Sequence, residues 1–144
     1  MPRVGLTRGV RAGVLRCGPK PLIGIAVGTD YPEAVLEQRV VQIGSVPVRY
    51  AVTGRGEPLV LIHGLAGSRL WCRRNIPALR EHHTVYLIDL PGFGSMRAHR
   101  REFSLDEAPL WVRTLLDRLD LRRVSVVGHS MGGVIALALA APMA

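Results

Sequence analysis

The chain has 144 residues, 48% hydrophobic and 21% charged, with a formal net charge of +8 at pH 7. That length fits one domain with a core of reasonable size, and that balance excludes a wholly disordered chain. No apolar run approaches the roughly 20 residues that span a bilayer, and Cys17 and Cys72 supply neither a disulfide framework nor metal-ligand spacing, so a cytoplasmic chain is expected.

The charge is unevenly placed. Residues 1–29 carry Arg3, Arg8, Arg11, Arg16 and Lys20 and no acid, which accounts for +5. The remaining 14 basic and 11 acidic residues leave the body nearly balanced. One lysine stands against eighteen arginines, so base composition of the gene explains part of the basic character. Residues 1–34 show scattered Gly and Pro without a period, and the apolar stretch 22–27 is too short for a signal-peptide core. They read as a basic, disordered N-terminal extension or the product of a misplaced start codon. A transit-like or nucleic-acid-binding arm is the competing reading. No aromatic residue interleaves these arginines to stack on bases, so no nucleic-acid partner is expected.

Order is expected from residue 35 to residue 144. Arg39-Val40-Val41-Gln42-Ile43 and residues 46–53 read as two half-buried strands joined by the turn Gly44-Ser45, an antiparallel hairpin. Gly54-Arg55-Gly56-Glu57-Pro58 is a turn cluster; Gly54 and Gly56 lack the third glycine and the strand-turn-helix setting of a dinucleotide site. Leu59-Val60-Leu61-Ile62 is a continuously apolar run, as a parallel strand covered on both faces should be. It runs into His63-Gly64-Leu65-Ala66-Gly67-Ser68, a loop whose glycines let backbone N–H groups approach a ligand. Residues 69–81 read as a helix with Trp71, Ile76 and Leu79 as apolar contacts, kinked or broken at Pro77.

Thr84-Val85-Tyr86-Leu87-Ile88 is a further buried strand, ending at Asp89. Leu90-Pro91-Gly92-Phe93-Gly94-Ser95 makes a turn, and residues 96–103 read as exposed and basic. The next helix has two candidate caps. Ser104 would form a capping box with Glu107 but would put Pro109 at the fifth helical position. Asp106 keeps Pro109 in the first turn, where no intrahelical donor is needed, and is preferred. Trp111, Leu115 and Leu119 then share a stripe, with Leu116 beside it.

Val124-Ser125-Val126-Val127 is the last strand, followed at once by Gly128-His129-Ser130-Met131-Gly132-Gly133 and the small-residue stretch 134–140. Strand, G-x-S-x-G turn and helix in such quick succession leave room only for a tight turn that lifts Ser130 clear of the sheet. A side chain at Gly128 or Gly132 would collide where strand and helix approach. Ser130 is then placed at the positive end of a helix, with the Met131 N–H free to meet a developing oxyanion. Three strands separated by helices imply a parallel sheet, and ligands bind such sheets beyond the carboxyl ends of the strands. The loops carrying His63, Asp89 and Ser130 all lie there.

Over residues 39–144 the chain resembles the α/β-hydrolase superfamily, on three blocks: His63-Gly64-Leu65, Asp89-Leu90-Pro91-Gly92-Phe93-Gly94 and Gly128-His129-Ser130-Met131-Gly132-Gly133. The resemblance implies an α/β-hydrolase fold with a mostly parallel sheet. It implies that Ser130 is the nucleophile that forms an acyl-enzyme, with the N–H groups of Leu65 and Met131 as the oxyanion hole. The implied reaction is hydrolysis of an ester, thioester, amide, lactone or carbon–carbon bond of a small-molecule acyl substrate, without metal or organic cofactor. Acyl transfer is the minority activity in the superfamily. A serine here argues against the relatives with an aspartate nucleophile, such as the haloalkane dehalogenases and many epoxide hydrolases.

One departure is large. The family's triad runs serine, then Asp or Glu, then His in chain order, and residues 131–144 contain none of these acids or bases. All five histidines precede Ser130. His129 is expected to project away from Ser130, and His63 and Asp89 to serve the turns that hold them. The expectation is therefore the N-terminal half of such a fold, truncated after the elbow helix and inactive as it stands. Strand 124–127 would be an exposed sheet edge, and helix 134–140 would lack part of its cover. A non-catalytic fragment or a binding module reusing the pocket is the alternative, and a basic-arm binder of nucleic acid or anionic membrane comes third.

Overall fold

A computed structural model describes residues 11–14, 36–98 and 103–141. The rest of the extension 1–34 and residues 142–144 lie outside the described residues. Six strands form one sheet: β1 (Arg11–Val14), β2 (Glu37–Ile43), β3 (Val46–Gly54), β4 (Glu57–Ile62), β5 (His83–Ile88) and β6 (Ser125–Gly128). Their spatial order is β1-β6-β4-β5-β3-β2. β1, β6, β4 and β5 run parallel, whereas β3 and β2 are antiparallel additions. The sheet is thus mixed and mostly parallel, with helices on its faces.

The β2–β3 hairpin forms as expected, Ile43 opposite Val46 across a two-residue turn. Gly44 holds φ 60° at the first central position, where such turns favour a positive φ. β4 and β5 bury their apolar runs by alternation. Val60, Ile62 and Ile88 face one core, and Leu59, Leu61, Val85 and Leu87 face the other. The first core is closed by α2 (Ala108–Arg118) and α3 (Met131–Ala140), after the short α1 (Ile76–Leu79) has helped close the second.

Several boundaries differ from the sequence reading. Residues 69–81 are not one helix. Arg69–Cys72 is a 3₁₀ turn capped by Ser68, whose hydroxyl accepts from the Leu70 N–H, and α1 begins afresh with Pro77 in its first turn. Proline's missing N–H is harmless there, so the chain restarts instead of kinking. α2 is capped by Glu107, not Asp106, and no side chain caps it; the Ala108 N–H bonds the Ser104 carbonyl. Pro109 does lie in its first turn. The helix ends in a Schellman motif, with Asp120 at φ 54° and Leu121 returning its N–H to Leu116. Met96 is wholly buried, although residues 96–103 read as exposed; residues 99–102 lie outside the described set.

β6 is not the sheet edge. β1 pairs with it in parallel over four residues, Arg11 opposite Ser125 through Val14 opposite Gly128. The cover on α3 is partial, as expected. Ile135, Ala136 and Leu139 are buried against the sheet and α2, while Val134 and Leu137 stand 54% and 59% exposed. No helix among the described residues is long and apolar enough to cross a membrane.

Candidate active site

The carboxyl ends of β4, β5 and β6 carry the three loops singled out by the sequence. The elbow after β6 is held by its own glycines. A Cβ on Gly128 would enter the Gly132 carbonyl and the Gly133 nitrogen, and a Cβ on Gly132 would enter the carbonyls of Ile62 and His63. Strand, helix and the end of β4 therefore meet backbone to backbone. The His129 N–H fastens this contact by donating to the Ile62 carbonyl at 3.0 Å.

Ser130 sits at the apex with φ 52° and ψ −118°, a conformation that strains a residue with a side chain by about 1–3 kcal/mol. It is exposed to solvent. The Gly132 N–H donates to the His129 carbonyl, and the Gly133 and Val134 N–H groups donate to the Ser130 carbonyl. Among the described residues no backbone carbonyl takes the Met131 N–H. It therefore points out at the positive end of α3. Gly64 lies against the same apex, since a Cβ on it would come 3.3 Å from the Ser130 Cβ and 2.9 Å from His129 Nδ1. Leu65, next along, is 64% exposed and belongs to a tight turn closed by the Gly67 N–H on the Gly64 carbonyl at 3.0 Å. Ser130, Met131, Leu65, Gly128 and Gly132 are thus gathered at one place.

His63 is not beside Ser130 as a base. Its ring is 1% exposed, Nε2 accepts the Leu90 N–H at 3.1 Å, and Nδ1 donates to the Gly64 carbonyl at 2.8 Å. Those two bonds select the neutral tautomer with its proton on Nδ1. Burial pushes its pKa down, against the opposing pull of the Gly64 carbonyl and the Asp89 charge. The folded pKa therefore lies below the unfolded value near 6.5, and stability is fully present above that pH and falls as pH drops through it. Urea midpoints taken from pH 7.5 down to 5.5 should decline, and His63→Ala should remove this part of the slope as well as lowering the curve. An unchanged slope in the variant would refute the assignment.

Asp89 is likewise engaged. Its Oδ1 accepts the Arg69 N–H at 2.7 Å, and Oδ2 accepts the Ser95 N–H at 2.8 Å, the Ser95 hydroxyl at 2.7 Å and Arg69 Nη1 at 3.3 Å. Both charged groups are buried. The carboxylate ties the loop after β4 to the loop after β5.

Two participants were missed by sequence reasoning. Arg69 is the partner of Asp89, and nothing in spacing separates it from the chain's other arginines. Trp71, expected as a core contact of a helix, is 47% exposed and packs its ring against His129 at 5.6 Å between centroids. It also lies over Gly67, whose added Cβ would be 3.1 Å from the indole. The loop bearing Leu65 is held between that indole and the elbow. Among the described residues no group of three His, Cys, Asp or Glu side chains is placed to hold a metal ion.

A mostly parallel sheet whose strand β6 turns sharply through an exposed serine into a helix defines an α/β-hydrolase architecture. The sequence profile of the alpha/beta hydrolase fold matches residues 57–142, more than half of the chain, which belongs to that family. The chain is 36% identical over 115 residues to the dihydrolipoyllysine-residue acetyltransferase component of the acetoin cleaving system of Pseudomonas putida, covering 78% of this chain and 31% of that one. It is 35% identical over 106 residues to 2-hydroxy-6-oxo-2,4-heptadienoate hydrolase of Pseudomonas putida, covering 71% and 38%. An alpha/beta hydrolase fold protein from Burkholderia ambifaria superposes with a TM-score of 0.63 at 31% identity, over 69% of this chain and 37% of that one. The chain spans about a third of the length of these curated relatives.

Proposed function

We propose that Ser130 is the nucleophile of a serine hydrolase that cleaves an ester, thioester, amide, lactone or carbon–carbon bond through an acyl-enzyme. The observation that carries this reading is the exposed Ser130 at φ 52°, with the unclaimed Met131 N–H beside it and Gly64 against its Cβ. Ser130 Oγ attacks the acyl carbon, and the N–H groups of Leu65 and Met131 receive the charge that builds on the acyl oxygen. Collapse expels the leaving group, and water then releases the acid. Relatives named as an acetyltransferase component and as a hydrolase of an oxo-dienoate both fit acyl-centred chemistry. The substrate is a small acyl compound, and the compartment is the cytoplasm, which suits the free thiol of buried Cys72.

The proton of Ser130 needs an acceptor, and residues 131–144 hold no Asp, Glu or His. The His63 ring nitrogens are both engaged. These 144 residues on their own are therefore proposed to turn over little, at the level of an oxyanion hole and binding alone. Incubation with a phosphonofluoridate should yield one slowly formed adduct, located at Ser130 by peptide mass and absent from Ser130→Ala. An adduct that persists in Ser130→Ala, or none after prolonged incubation, would count against the nucleophile.

The engagement of both His63 ring nitrogens with Leu90 and Gly64 favours a second reading, a non-catalytic module that keeps the pocket for binding. It predicts ligand binding that survives Ser130→Ala with no turnover in either form.

A further inference from the structure

A cavity of about 550 Å³ opens at the far end of the sheet, beneath the β2–β3 hairpin. Its polar lining is Gln38, Arg39, Arg49, Arg69 and Ser95, and no carboxylate is among its described lining residues. Strand alternation explains the composition. Val48, Tyr50 and Val52 of β3 face one core and Ala51 the opposite side, so Arg49 shares the face of Ala51. Register sets Arg49 opposite Val40 and Ala51 opposite Gln38 on that face. The arginine thus stands over the buried Arg69 and the half-buried Ser95, while Val40 and Leu36 supply apolar wall.

The three guanidinium groups are neutralised unequally. Arg69 has the Asp89 carboxylate at 3.3 Å, with both groups out of solvent. Arg39 stands opposite Tyr50 in the register and so on the other face of the sheet from Arg49, where it pairs with Glu37 at 2.8 Å. Arg49 is exposed and has no ion-pair partner among the described residues. A concave site with one uncompensated guanidinium and no carboxylate among its described lining residues attracts anions, and the planar fork of arginine suits an oxyanion.

We propose that this cavity is a binding site for the oxyanion of a small molecule, a carboxylate or phosphate group held by Arg49. Its anion-holding residue is set apart from the elbow, because Arg49 lies on β3, three strands from β6 and about 14 Å across the sheet. It stands whether or not Ser130 is a nucleophile.

The test is an NMR titration of the intact chain at constant ionic strength, with inorganic phosphate in one arm and hexanoate in the other. Saturable one-to-one binding is expected in at least one arm, with shifts centred on Gln38, Val40, Arg49 and Ser95. Arg49→Gln should weaken it about tenfold or more, and Arg49→Lys should restore part of the loss. Ser130→Ala should leave it unchanged, and added salt should weaken it. Displacement of phosphate by hexanoate assigns the site to oxyanions with an apolar arm, and binding of phosphate alone assigns it to phosphate. Absence of saturation in both arms, binding that survives Arg49→Gln, or binding lost in Ser130→Ala would overturn the proposal.

Discussion

Replacing Asp89 with alanine is expected to lower folding stability by about 3–5 kcal/mol, the usual consequence of leaving a buried charge without its counter-ion. The Arg69 guanidinium is 8% exposed and would lose Asp89 Oδ2, while the Arg69 and Ser95 N–H groups would lose their carboxylate acceptor. Most of that penalty belongs to the stranded charge and less to the intact pair, which had its own desolvation to offset. The double variant Asp89→Ala with Arg69→Met should therefore be more stable than the sum of the single changes predicts. Urea unfolding monitored by tryptophan fluorescence measures both. A loss below about 1 kcal/mol in Asp89→Ala would show that the loops after β4 and β5 do not depend on this junction.

Gly132→Ala is the second change with a large expected effect. Its added methyl would enter the carbonyls of Ile62 and His63, which are backbone atoms and cannot rotate aside as a side chain would. Elbow and β4 would have to part, breaking the His129 N–H bond to Ile62, so a loss of about 3 kcal/mol or more is expected. Gly44→Ala is the internal control. Gly44 holds φ 60° but meets nothing within 4 Å, so only the left-handed strain of about 1–2 kcal/mol applies. Equal effects at the two positions would refute the steric account. The Ser130 adduct should also form more slowly in Gly132→Ala, because the methyl moves Ser130 relative to the loop that carries Leu65.

Much of this fold was legible in one sequence because its central strands are buried on both faces. Leu59 to Ile62 and Val85 to Ile88 read as continuous apolar runs, and the observed strands differ from that reading by one or two residues at their starts. The elbow was legible for a different reason. Glycines at 128 and 132 flanking a serine, between an apolar strand and a small-residue helix, leave the backbone one compact route, and that route carries the positive φ at Ser130. β1 was not legible, because Arg-Ala-Gly-Val has neither alternation nor a long apolar run, and its strand state exists only through hydrogen bonding to β6. Residues 69–81 misled because their apolar spacing suits a helix. The Ser68 cap and the demand of Asp89 for the Arg69 N–H wind the first turn tightly instead.

The sequence by itself determined the order of elements from β2 to α3, the three loops at the carboxyl ends of the parallel strands and the identity of the apex serine. These depend on periodicity and on where glycine is sterically required, both of which are local. Only the tertiary structure decided which arginine neutralises Asp89, that His63 carries its proton on Nδ1, that Trp71 packs on His129, and that Arg49 overhangs a cavity shared with Arg69. Each of these joins residues about 20 to 60 positions apart through a sheet register or a hydrogen bond between loops. Such pairings follow from the packing of whole strands, which no local pattern encodes.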